Sequence, residues 1–139
     1  MSKLKPEKAK AWKAFSLYIR TKECIETTGD YQRGRCVTCG AVHPRNDLQA
    51  GHFVDGRGSA ILFDERGVHI QCRACNLFRG GAKLDYWRWM EQHQGRAVID
   101  ELIDLRHATV KRKAADYIAL RLEYEQRYQE LMRRYSALS

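Results

Sequence analysis

The sequence predicts an α+β fold in which a small two-stranded core lies between helices. Two C-x-x-C pairs, formed by Cys36 with Cys39 and by Cys72 with Cys75, are separated by 32 residues. Between them, residues 48–54 and 68–71 have the length and composition of short strands. Both ends of the chain carry apolar residues at helical spacing.

The length of the chain suits one domain. With 139 residues it is too short for two ordinary domains. We expect a single domain, 1–139, made of an N-terminal helix (1–25), a core (33–82) and a C-terminal helical region (83–139).

The charge of the chain indicates a polyanionic partner. Lys and Arg number 25 against 17 acidic residues, which gives a net charge of +8 and a pI near 9.4. Such an excess favours nucleic acid. No apolar stretch suits a secretory signal or a membrane helix, so we expect a cytoplasmic protein with no membrane partner. In a reducing compartment, paired cysteines indicate metal more often than a disulfide.

The N-terminal helix is predicted over residues 6–24. Pro6 suits a first helical turn, and Trp12, Phe15 and Ile19 recur on one side. This pattern predicts an amphipathic helix packed on the core, with lysines on its other faces that can reach phosphate. Cys24, near the end of this helix, is interpreted as a small buried apolar residue.

The core elements follow from turns and alternation. Gly40 eases the tight turn after the first cysteine pair. In the strand 48–54, period-two alternation puts Leu48, Ala50 and His52 on one face. The second strand, 68–71, runs directly into Cys72, and a short helix starting at Arg73 carries Asn76.

The C-terminal region is predicted to be helical throughout. Residues 83–94 bring Leu84, Trp87 and Met90 to one side, and residues 97–107 form a second helix. A long helix, 109–135, has a tyrosine-rich stripe that is poor for a free coiled coil. We expect it to pack against the N-terminal helix or against a partner subunit, which makes a homodimer through the C-terminal helices a prediction.

The four cysteines have the spacing of a tetrahedral zinc site. Because four thiolates fill every position around Zn²⁺, this metal would be structural, and any catalysis needs a second group of residues.

His52 and Asn76 supply that second group. A neutral imidazole accepts a proton from water near pH 7, and Mg²⁺ or Mn²⁺ prefers hard oxygen ligands such as an amide carbonyl. Two strands followed by a helix, with these residue types, fit the one-metal nuclease arrangement called ββα-metal. A lone strand histidine is more often structural, and His52 gains weight from its position between the two cysteine pairs, with Asn76 directly after the last cysteine. The further candidates are His69 as a metal or phosphate contact, Asp64 and Glu65 as metal-binding carboxylates, and Arg57 as a clamp on the scissile phosphate.

These motifs together resemble the NinG/Rap family of lambdoid phages. The resemblance rests on C-V-T-C-G at 36–40, L-Q-A-G-H-F at 48–53, G-R at 56–57, F-D-E at 63–65, V-H-I-Q-C at 68–72 and C-N at 75–76, and covers about residues 10–110. It implies a phage or prophage recombination endonuclease, related to HNH (His-Me finger) enzymes, that cuts branched DNA such as Holliday junctions and D-loops. The same resemblance implies His52 as general base, Asn76 as a residue that binds the catalytic metal, and the four cysteines as zinc ligands.

Two positions depart from the HNH pattern. Many HNH enzymes carry an acidic residue or His just before the base, where this chain has Gly51, and often Asn at the start of the second strand, where it has Gly67. The metal then needs another donor, such as Asp64, Glu65 or His69. Two alternatives stay open: an HNH endonuclease that nicks duplex DNA, and a non-catalytic zinc-ribbon protein that binds DNA.

Overall fold

Among the described residues, the chain forms four α-helices and four short strands. A computed structural model describes residues 3–56 and 58–138. The helices are α1 (Leu4–Thr28), α2 (Lys83–His93), α3 (Arg96–Leu105) and α4 (Ala114–Leu138), and the strands are β1 (Arg33–Arg35), β2 (Val42–Pro44), β3 (Leu48–His52) and β4 (Val68–Cys72). The predicted α+β class is confirmed.

Strands β3 and β4 form an antiparallel pair at the centre of the molecule. Leu48 lies opposite Cys72, and His52 lies opposite Val68. Because side chains alternate across a strand, Leu48, Ala50 and His52 share one face, as predicted. The face that carries Leu48, Ala50 and His52 packs on α1. The opposite face carries Gln49, Gly51, His69 and Gln71.

Helix α1 packs on the hairpin, and α4 packs along α1. Phe15 of α1 contacts Tyr124 of α4 edge to face, with ring centroids 4.9 Å apart. Phe63, from the segment between β3 and β4, packs against Phe15 and Tyr117. The expected packing of the tyrosine stripe against the N-terminal helix is therefore confirmed. The homodimer stays a prediction.

A second apolar cluster joins α2 and α3 to the end of β3. Its buried members are Phe53, Tyr86, Met90, Ile99 and Leu102. The predicted apolar side of α2 was wrong at Leu84, which is 89% exposed, because the buried face is centred on Tyr86 and Met90.

Several element boundaries differ from the sequence prediction. Helix α1 continues to Thr28, and a small β1–β2 hairpin, not predicted, surrounds the first cysteine pair. The helix expected from Arg73 is a single π-helical turn, Ala74–Phe78, which ends before a left-handed stretch at Gly80, Gly81 and Ala82. No helix among the described residues is long and apolar enough to cross a membrane.

Candidate metal centre and active site

The four paired cysteines converge at one point. Their sulfur atoms all lie within 4.8 Å of one another. The sulfurs of Cys39 and Cys72 are 3.7 Å apart, too far for a disulfide and close to the separation of about 3.8 Å that tetrahedral Zn–S bonds of about 2.3 Å require. Within the described part of the chain, no other cluster of three or more His, Cys, Asp or Glu side chains is this close.

Local backbone structure turns the first cysteine pair toward this point. The N–H of Gly40 donates to the carbonyl of Cys36 at 2.9 Å, which closes a tight turn. Val37 donates to the carbonyl of Ile70 at 3.0 Å and so ties the pair to the outer edge of β4. The second pair spans the end of β4 and the π-helical turn.

The electrostatics of the four sulfurs suit a bound cation. Burial would raise the pKa of Cys36, but hydrogen bonds from the Thr38 hydroxyl and from backbone N–H groups lower the pKa to about 6. Burial, with the neighbouring sulfurs, raises the pKa of Cys39 to about 12. Four sulfurs this close cannot all ionise unless a positive charge compensates them, so this centre can hold a zinc ion.

His52 and Asn76 line one open cavity of about 440 Å³. His52 reaches it from the end of β3, and Asn76 reaches it from the π-helical turn. The remaining lining residues are Trp12, Ala50, Asp55, Gly56, Gly80, Gly81 and Lys83.

The imidazole of His52 contacts Trp12 and the backbone of Leu62. Its ring stacks on Trp12 of α1, with centroids 5.2 Å apart and planes 18° apart. Nε2 lies 3.1 Å from the carbonyl oxygen of Leu62. Since a carbonyl only accepts, Nε2 carries the hydrogen in the neutral ring and Nδ1 carries the lone pair.

Lys83 and Asp55 add charge to the cavity. The ammonium group of Lys83 donates to the carbonyl oxygens of His52 and Phe53, each at 2.9 Å. It also pairs with the carboxylate of Asp55 at 2.9 Å. Sequence reasoning missed both residues, although a carboxylate three positions after His52 was a visible signal.

Three of the predicted metal-site residues lie elsewhere. His69 lies opposite Gly51, so its side chain is on the other face of the hairpin from His52, where it bonds to Glu23. Asp64 accepts two side-chain hydrogen bonds from Arg66, and Glu65 accepts one from Arg127 of α4.

The contacts of His69, Asp64 and Glu65 indicate that these residues stabilise the fold. Burial would raise the pKa of Asp64, but the hydrogen bonds and charge of Arg66 lower it below its usual range. The roles of His69, Asp64 and Glu65 as metal ligands stay predictions, and none of the three lines the cavity. Arg57, the predicted phosphate clamp, lies outside the described residues, so its role stays a prediction.

A family model and several curated phage proteins match this chain. The family model described as "Bacteriophage Lambda NinG protein" matches residues 2–134. Protein ninG of Salmonella phage P22 is 29% identical over 97 residues, which cover 69% of this chain and 47% of that protein. Protein ninG of Escherichia phage lambda is 27% identical over the same shares of the two chains. The alignments thus span about half the length of these curated relatives, and no solved structure matches the chain.

Proposed function

This chain belongs to the NinG family of phage proteins, and on that premise we propose that it is a metal-dependent endonuclease for branched DNA. Its substrates would be recombination intermediates such as Holliday junctions and D-loops, as the motif resemblance implies. The observation that carries the proposal is the shared cavity of His52 and Asn76. The zinc centre, with four sulfur ligands, would stabilise the fold and leave the chemistry to this cavity.

The residues of the cavity suit a hard divalent cation. Asn76 offers an amide oxygen and Asp55 offers carboxylate oxygens, and both residues line the same cavity as His52. These are ligand types that Mg²⁺ and Mn²⁺ accept. When bound, the cation would act as a Lewis acid that stabilises the leaving 3′ oxygen and the charge on phosphorus.

His52 would act as the general base. The hydrogen bond from Nε2 to Leu62 and the stack on Trp12 fix the ring, with the lone pair on Nδ1. Nδ1 takes a proton as a water oxygen attacks phosphorus, and the bond from phosphorus to the 3′ oxygen breaks. The 3′ oxygen takes a proton from solvent, so one water is consumed and the products are a 3′ hydroxyl and a 5′ phosphate.

Lys83 would hold the loop that follows the base. Its three oxygen partners come from His52, Phe53 and Asp55, so one ammonium group fixes the backbone directly after His52. This contact limits the movement of the imidazole relative to Asn76, and so favours the geometry that in-line attack requires.

The basic surface beside the cavity fits a DNA partner. Lys5 and Lys8 of α1 flank Trp12, which stacks on His52, so positive charge extends from the cavity along the helix. This charge suits the phosphates of a DNA arm that enters the site.

The proposal is tested by the incision of a labelled four-way junction in Mg²⁺ under single-turnover conditions. We expect His52→Ala to lower the incision rate about 100-fold or more, the lower range for loss of a general base. Zinc content and junction binding should stay at wild-type levels. His93→Ala, at an exposed histidine on α2 outside the cavity, is the matched control and should cut normally.

Two results would overturn the proposal. Normal incision by His52→Ala and by His52→Gln would remove the imidazole from the chemistry. Junction binding by the wild type without incision in Mg²⁺ or Mn²⁺ would leave a zinc-containing protein that binds DNA. Equal incision of duplex DNA would instead assign it to duplex-nicking endonucleases.

A further inference from the structure

Three large apolar side chains are exposed in the segment that follows the second cysteine pair. Leu77 is 52% exposed, Phe78 is 76% exposed and Leu84 is 89% exposed. Among the described residues, Phe78 is the one exposed side chain of the Phe, Tyr and Trp type, and the others are buried or half-buried. Several exposed apolar side chains in one short segment mark a binding surface. These three residues are the apolar rim.

The apolar rim adjoins the cavity of His52 along the chain. Phe78 stands between Asn76 and Gly80, and Leu84 directly follows Lys83. Asn76, Gly80 and Lys83 all line the cavity. Because consecutive Cα atoms are 3.8 Å apart, the backbone of each rim residue lies within about 8 Å of a residue that lines the cavity. DNA that enters the cavity therefore comes close to the apolar rim.

The turn that carries Phe78 is fixed at both ends. Cys75, in the same π-helical turn, belongs to the four-cysteine cluster, and its carbonyl accepts the N–H of Gly81 at 2.9 Å. The buried amide of Gln71 donates to the carbonyl of Gly81 at 2.8 Å. A side chain on a fixed backbone loses less conformational freedom when it binds a partner. Phe78 is thus well placed to act as an anchor.

The charge around the apolar rim fits nucleic acid. Residues 73–88 include four basic side chains and one acidic side chain, namely Arg73, Arg79, Lys83, Arg88 and Asp85. The three arginines are exposed. DNA offers phosphates that pair with cations and base faces that stack on an aromatic ring. A partner with both properties matches exposed arginines that surround an exposed phenylalanine.

We propose that Phe78, flanked by Leu77 and Leu84, inserts between bases at the branch point of DNA that is bound in the cavity. The inference rests on the proposed function and deepens it, because it names the feature of DNA that the site selects. Insertion of an apolar side chain separates stacked bases, which costs free energy in a continuous duplex. At a branch point the stack is already interrupted, so the cost is lower. The apolar rim would thus favour branched DNA without reading its sequence.

The test uses a four-way junction with 2-aminopurine beside the branch point, because this base fluoresces more strongly when it leaves the stack. Zinc-loaded protein is added without Mg²⁺ or Mn²⁺, so that binding is measured without incision. We expect the wild type to raise the fluorescence and Phe78→Ala to abolish the rise. Junction affinity, measured by anisotropy, should fall roughly tenfold, as loss of one stack between a base and an aromatic ring does. Affinity for linear duplex should stay unchanged, since it depends on phosphate contacts.

Two further variants separate the role of the ring from damage to the fold. Phe78→Trp keeps an aromatic face and should keep both the fluorescence rise and the junction affinity. Leu122→Ala, at a position of α4 that is 54% exposed and does not line the cavity, is the matched control and should behave as the wild type does. Because both side chains are exposed, every variant should keep the zinc content and thermal unfolding of the wild type.

Three results would overturn the inference. The first is an unchanged fluorescence rise and junction affinity in Phe78→Ala. The second is an equal loss of affinity for junction and duplex, since the ring would then serve DNA binding in general. The third is a change from dimer to monomer in Phe78→Ala, measured by analytical ultracentrifugation, with the preference for the junction retained. That result would assign the apolar rim to contact with a second copy of the chain.

The outcomes keep this inference apart from the proposed function. A fluorescence rise that depends on Phe78, with no incision of any DNA in Mg²⁺ or Mn²⁺, would support the inference and overturn the endonuclease. Incision of the junction by Phe78→Ala with the rate and the preference of the wild type would support the endonuclease and overturn the insertion of Phe78.

Discussion

His69 and Glu23 form a buried pair that joins β4 to α1. Nδ1 of His69 lies 2.6 Å from Oε2 of Glu23, and Nε2 lies 2.8 Å from the carbonyl oxygen of Arg66. The other carboxylate oxygen of Glu23 accepts the N–H of Ile70 at 2.8 Å. The carboxylate of Glu23 therefore satisfies a backbone N–H on the outer edge of β4 and also fixes the orientation of the His69 ring.

Glu23→Ala should strongly destabilise the protein. It leaves the ring of His69 and the N–H of Ile70 buried without their partner, which typically costs about 3–5 kcal/mol for a buried pair. Urea unfolding in excess zinc measures this loss. Glu26→Ala, at an exposed position one turn further along α1, should change the free energy of unfolding by no more than about 0.5 kcal/mol. Equal effects of the two substitutions would contradict the role assigned to Glu23.

At single residues, the sequence predicted best those that belong to a recognisable ligand set. The two C-x-x-C pairs were enough to predict the convergence of the four cysteines, because two such pairs are the usual ligand set of one tetrahedral zinc ion. The side-chain direction of His69 depended on the register of β3 against β4, which spacing alone does not give. Lys83 was missed because its partner, the backbone carbonyl of His52, is near only in the folded chain.

The two cysteine pairs connect three elements that bury little surface by themselves. Strands β1 and β2 have three residues each, and the turn after β4 is one π-helical turn. Such short pieces have few apolar contacts, so metal binding would supply part of the folding free energy. Their shortness also explains why the β1–β2 hairpin was not predicted: three residues give no alternation to recognise.

Removal of the zinc centre should unfold the core. Structural Zn²⁺ contributes on the order of 10 kcal/mol, comparable to the whole stability of a small domain. We expect Cys72→Ser to abolish zinc binding and cooperative thermal unfolding, measured by metal analysis and circular dichroism. Cys24→Ala, at the buried cysteine of α1 that is not part of the cluster, should keep full zinc content. A folded, zinc-free Cys72→Ser protein would contradict this account.

The long helices were the elements that periodicity predicted best. Phe15 and Ile19 of α1 are fully buried, as their spacing indicated, and the tyrosines of α4 pack against the same helix. In α2, periodicity did not show which of two neighbouring faces is buried. The buried face contains Tyr86, whose hydroxyl donates to the carbonyl of Gly51 at 2.6 Å, and leaves Leu84 exposed.

At the scale of the whole molecule, the positive net charge and its distribution affect how tightly the protein should bind DNA. The chain carries +8, and the lysines at the start of α1 lie beside the cavity. Phosphate contacts release counterions from DNA, so affinity should fall steeply with salt. The sequence predicted the sign of this charge, whereas the position of the lysines beside Trp12, which stacks on His52, required the packing of α1 on the hairpin.

Replacing Lys5 and Lys8 with Ala should weaken junction binding and flatten its salt dependence. Each phosphate contact contributes about one unit to the slope of log affinity against log salt, so the double substitution should lower the slope by roughly two units. Fluorescence anisotropy across a salt series measures it. Lys22→Ala, near the other end of α1 and on a different surface, is the control and should leave the slope unchanged. An unchanged slope in the double variant would exclude these lysines from the DNA interface.

The central claim is that the cavity of His52 and Asn76 hydrolyses branched DNA with a divalent metal. The most direct measurement incubates the zinc-loaded wild type with a labelled immobile four-way junction, beside linear duplex of matching sequence, with and without Mg²⁺ or Mn²⁺. The account predicts incision of the junction alone, only with the added metal, with 3′ hydroxyl and 5′ phosphate ends. Tight junction binding without incision under either metal would contradict it.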